Sequence, residues 1–88
     1  MGHLAFYDEA AAELHATLIA RMAGDELYRQ SDLSIQDLAS MLEVPPNHLS
    51  QVINQREQKN FYDFVNSYRI QAFKRQIEDR KNRQFTLL

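Results

Sequence analysis

Apolar residues recur along this chain at three- and four-residue intervals, and no stretch alternates apolar with polar as a strand would. Phe6, Ala10, Leu14, Leu18 and Met22 are spaced by four, and Tyr7, Ala11 and Ile19 widen the stripe. That spacing predicts a helix over residues 5–23. Gly24 is placed as its stop, and Asp25 can cap the next turn. Residues 26–30 then read as one short helical turn carrying Leu27 and Tyr28, with Ser31 and Asp32 in a loop.

The stretch SIQDLASMLEVPPNHLSQVIN, Ser34 to Asn54, reads as two short amphipathic helices joined by a tight turn. Ser34 is an N-cap candidate with Asp37 at the third helical position, a capping-box-like pair. Leu33 before the cap and Leu38 inside are placed for a hydrophobic staple. Ile35, Leu38, Ala39 and Leu42 share one face, with Met41 at its border. Pro45 disfavours helix at Val44, whereas Pro46 suits a first helical position. The second helix is expected over 46–55, with Leu49, Val52 and Ile53 facing inward and Asn47, His48, Ser50, Gln51 and Asn54 outward. Glu43 occupies the turn position where Gly is usual, which implies left-handed or slightly altered backbone there.

Arg56 to Lys59 reads as a polar loop. Asn60 can cap a long helix over 61–79, with Asp63 near its positive end. Its expected buried stripe is Phe61, Phe64, Val65, Tyr68, Ala72, Phe73 and Ile77, with Ile70 on the margin. Tyr62 is also assigned to the core, because stacking on single-stranded bases needs an exposed platform that helical spacing does not provide. Lys81, Asn82 and Arg83 read as a polar exit, and Thr86 as the N-cap of a further helix.

Composition narrows the classes. Eighty-eight residues make one small domain or part of one, with a modest core. Without cysteine there are no disulfides and no thiolate metal sites, which fits a cytoplasmic protein. No apolar run approaches the roughly 20 residues that span a bilayer. His3, His15 and His48 form no metal set, and no Gly-rich phosphate loop or nucleophile elbow is present, so neither cofactor nor enzymatic activity is expected. Charge is unevenly spread: residues 1–33 hold two Lys or Arg against six carboxylates, including Asp8, Glu9 and Glu13, while residues 34–88 hold eight against six. The cations thus accompany the two-helix segment, although a solvated helix surface gives the same pattern.

A polar row of amides and a hydroxyl on a short second helix is what insertion into a DNA major groove requires. From Leu33 to Ile77 the chain resembles the DNA-binding region of the AraC/XylS family of bacterial transcription regulators. The segments that carry the resemblance are LSIQDLASMLEVPPNHLSQVIN and NFYDFVNSYRIQAFKRQI; the second, with Phe64, Asn66, Tyr68-Arg69-Ile70, Ala72 and Ile77, is similar to the family's linker helix between two helix-turn-helix subdomains. The resemblance implies an all-α, homeodomain-like helix-turn-helix bundle with a long N-terminal helix and a long linker helix. It divides the chain into a lead-in over 1–33, a helix-turn-helix over 34–55, a linker helix over 56–80 and, over 81–88, the start of a second subdomain cut short.

The resemblance also assigns roles. Asn47, Ser50 and Gln51 fall where family members address base edges, with Asn54 one turn further on. Asn and Gln pair bidentately with adenine, and the absence of Arg argues against strong guanine readout. Ser34, His48, Gln55, Arg56 and Lys59 are candidates for phosphate contact, although His48 reads equally as a plain surface residue. Arg69 is either a phosphate contact or an internal tie between the linker helix and the rest. Lys74, Arg75, Arg80, Lys81 and Arg83 either follow a DNA backbone or form a solvated helix end. The expected partner is double-stranded promoter DNA, with no membrane and no small-molecule ligand. The alternative is a helical interaction module, a possible homodimer, exposing Phe85, Leu87 and Leu88 beside an acidic first helix.

Overall fold

The computed structural model describes the backbone of residues 2–86 and the side chains of residues 9–83. The expected contributions of Phe6, Tyr7 and Asp8 to the first helix, and the exposure of Phe85, Leu87 and Leu88, lie outside the described side chains. Among the described residues the chain is helical throughout, with no strand. Helix α1 spans Gly2–Gly24, a short 3-10 turn spans Leu27–Arg29, and α2, α3 and α4 span Ile35–Leu42, Pro46–Glu57 and Phe61–Thr86.

One core holds the elements together. Leu18 and Met22 of α1, Leu38 of α2, Leu49 and Ile53 of α3 and Phe64 of α4 are fully buried, with Leu27, Tyr28, Leu33, Ala39, Phe61 and Val65 around them. No polar or charged residue is buried among the described residues. Tyr68 closes one side, stacked on Tyr28 with ring centroids 5.8 Å apart and edge-on to Phe64 at 5.4 Å. Burial among these rings, with the Glu57 carboxylate nearby, pushes the Tyr68 hydroxyl above its ordinary range.

Local chemistry fixes the ends. Ser34 forms a full capping box: its Oγ accepts from the Asp37 N–H at 3.1 Å, and its own N–H donates to the Asp37 carboxylate at 3.2 Å. Leu33 and Leu38 both enter the core, as a staple requires. Asn60 Oδ1 accepts from the Asp63 N–H at 2.8 Å at the start of α4. Glu43 adopts φ 58°, ψ 43°, the left-handed of the two arrangements expected there, and the Val44 N–H bonds back to the Ala39 carbonyl at 3.0 Å.

Three expectations are corrected. Arg56 and Glu57 are not loop but the last turn of α3, which ends at Gln58 in a left-handed C-cap. Helix α4 does not exit at residues 81–83; it runs unbroken to Thr86, which is therefore a helical residue of α4 rather than the cap that precedes a helix. No Gly or Pro interrupts residues 61–86, so nothing in the backbone stops the helix at Asp79. Finally, Phe73, Ile77 and Tyr62 are not core: they are 62%, 39% and 74% exposed. The spacing of Phe73 and Ile77 continues a helical stripe, but α4 is outrunning the bundle by that point: Phe73 lines an open pocket with Tyr28, Arg29 and Ser31 and stays largely exposed.

Candidate nucleic-acid interface

The outward face of α3 is set by the burial of Leu49, Val52 and Ile53, which fixes the rotation of the helix on the core. Asn47, Gln51 and Asn54 then fall together on the opposite side, at i, i+4 and i+7, and all three are exposed. Pro45 in extended conformation and Pro46 at the first helical position hold the start of the helix, where the His48 and Leu49 N–H groups both bond to the Pro45 carbonyl at 3.1 Å. Asn47 Oδ1 accepts from the His48 N–H at 3.0 Å, which orients its amide.

The remaining polar residues divide between the two flanks. Ser50 is half-buried and lines a groove of about 660 Å³ between the N-terminal ends of α2 and α4, shared with Ser34, Gln36, Asn60, Phe61 and Tyr62. It is therefore set back from the crest occupied by Asn47, Gln51 and Asn54. Ser34 lies in this groove with both its Oγ and its N–H engaged in the capping box. His48 and Gln55, seven residues apart and both exposed, occupy the other flank. Arg56 in the last turn of α3 and Lys59 in the following turn stand at the far end of the helix.

Sequence reasoning missed Tyr62 and Gln36, both exposed on the lip of the groove. A signal existed for Tyr62: the buried set Phe61, Phe64, Val65 and Tyr68 follows i, i+3, i+4, i+7, and residue 62 is outside that series. Its ring is steadied edge-on against Phe61, at 5.6 Å.

Two internal ties brace α3 and α4. Arg69 donates through Nε to the Tyr28 carbonyl at 2.9 Å and through Nη2 to the Gln30 carbonyl at 2.8 Å. Of the two roles open to it, this is the internal one, and it anchors the 3-10 turn on α4. His15 of α1 hydrogen-bonds through Nε2 to the Glu57 carboxylate at the end of α3. Spacing along the sequence offers no partner for His15, because Glu57 is 42 residues away. Beside the 3-10 turn, Glu26 accepts from Arg29 and from the Tyr28 hydroxyl, and these bonds hold its carboxyl below the ordinary carboxylate range.

Among the described residues no group of three or more His, Asp or Glu could hold a metal ion, and no helix is long and apolar enough to cross a membrane. Fold and surface together define a small all-α bundle whose third helix carries an exposed amide row. Compared with family models, with curated proteins and with solved structures, the chain matches none.

Proposed function

We propose that the chain is a sequence-reading, double-stranded-DNA-binding module of an AraC/XylS-type bacterial transcription regulator, acting in the cytoplasm through the outward face of α3. The observation that carries this reading is the row Asn47, Gln51 and Asn54, exposed side by side on a helix whose start is fixed by a tight turn. Three amides on one helical crest offer paired donors and acceptors to base edges, with adenine the best match. The α2–turn–α3 arrangement and the long helix α4 agree with what the resemblance implies. Ser50 serves from the side, and Ser34, His48, Gln55, Arg56 and Lys59 supply the backbone contacts on either flank. Few of these are cations, so affinity is weak and falls only with a shallow slope as salt concentration rises.

Selection of duplex DNA from a random library by the whole chain, followed by titration of the enriched sequence, tests the proposal. Gln51→Ala and Asn47→Ala each lose about 1–3 kcal/mol of discrimination at the base they address. Lys59→Ala weakens all sequences alike and flattens the salt dependence. No enrichment at low salt, or binding by both amide variants equal to wild type, overturns the assignment.

A further inference from the structure

Two surfaces remain that neither the core nor the α3 crest uses. On α4, Ile70, Phe73 and Ile77 are 54%, 62% and 39% exposed. They follow one another at i, i+3 and i+7; Ile70 and Ile77 lie on the side of the helix away from Phe64, Val65, Tyr68 and Ala72, which face the bundle, and Phe73 lies on the flank, where it also lines a pocket with Tyr28, Arg29 and Arg69. Exposed Lys74 and Lys81 border this apolar stripe. On α1, Ala12, Ala16 and Ala20 are exposed at four-residue intervals, on the side away from the buried Leu18 and Met22. Exposed Glu9 and Glu13 border that row.

We infer that α4 of one copy docks its Ile70–Phe73–Ile77 stripe onto the alanine row of α1 of a second copy. The two surfaces match in size and in charge. Large side chains reach a partner helix best where its own side chains end at Cβ and the helix axes can close in. In that arrangement Lys74 and Lys81 meet Glu9 and Glu13. Pairing α4 with α4 instead sets lysine against lysine, which like-charge repulsion disfavours. The stripe offers roughly 300 Å² of exposed apolar surface, well below the ~800 Å² per partner of a stable complex, so the association is weak. It is independent of the DNA reading, since it uses none of the α3 crest.

Sedimentation equilibrium of the whole chain, from tens of micromolar to about a millimolar, is the test. The weight-average mass rises from that of the monomer toward twice that value or more. Phe73→Ser and Ala16→Arg each weaken association at least about tenfold. Both residues are exposed, so circular dichroism and melting temperature stay at wild-type values. Glu13→Lys alone weakens association, and Glu13→Lys combined with Lys74→Glu recovers it. A wild-type chain that stays monomeric at a millimolar overturns the inference. So does dissociation by Phe73→Ser without dissociation by Ala16→Arg, which points to α4–α4 pairing.

Discussion

Glu26, Glu43 and Gln58 all carry left-handed backbone, at φ 53°, 58° and 57°, and none is glycine. Each sits at a joint: before the 3-10 turn, between α2 and α3, and between α3 and α4. An L-residue in this region bears a steric cost of about 1–2 kcal/mol, partly offset in comparison with glycine by the smaller entropy it loses on folding. At Glu43 the side chain is exposed, and the turn is already closed by backbone bonds from the Glu43 and Val44 N–H groups. Glu43→Gly is therefore expected to raise stability by about 0.5–1 kcal/mol, read as a higher urea midpoint at unchanged slope. A lower midpoint would mean that the entropy of the added glycine outweighs the relieved strain.

Arg69 shows how one side chain joins elements that apolar packing alone leaves loosely connected. Its guanidinium satisfies the carbonyls of Tyr28 and Gln30, about 40 positions earlier in the chain, while Tyr28 stacks on Tyr68 one residue away. Arg69→Met removes both donors while keeping the aliphatic stem, with an expected loss of about 1–3 kcal/mol in chemical denaturation. Arg69→Lys loses less, because an ammonium still reaches one of the two carbonyls, although it cannot reproduce the fork. If Arg69→Lys and Arg69→Met prove equally destabilising, the fork rather than the charge carries the whole effect. Much of this element-level order was legible in the sequence. The capping box at Ser34, the staple of Leu33 and Leu38, the turn at Glu43 and the inward face of α3 follow from local spacing, whereas spacing leaves Arg69 open between a phosphate contact and an internal tie, because its partners lie 41 and 39 residues away. Helix ends were less legible: Arg56 and Glu57 are polar enough for a loop yet remain helical, and α4 meets no breaker at Asp79. Burial of Phe73 and Ile77 could not be judged from spacing, because it depends on what stands opposite the helix. Of the candidate site, the crest was readable from periodicity, whereas the retreat of Ser50 into the groove and the pairing of His15 with Glu57 depend on contacts distant in sequence.

At the scale of the molecule, the bundle is short and two of its helices are long. The first half of α4 is held down by Phe61, Phe64, Val65 and Tyr68, but every described residue from Phe73 to Arg83 is exposed. Backbone amides of residues 76–83 are accordingly expected to exchange with deuterium at least about 100-fold faster than those of 64–69, since only the helix's own bonds protect them. Equal protection along all of α4 in dilute solution would show that something covers its far half. The principal extents are 63 × 27 × 19 Å and the radius of gyration is 16.5 Å, against about 12 Å for a rounded chain of this length. A rod-like particle drags more solvent than a sphere of equal mass. On a sizing column calibrated with rounded proteins the monomer will elute early, at the volume of a chain well above its own weight, and will pass there for a dimer whether or not α1 and α4 ever meet.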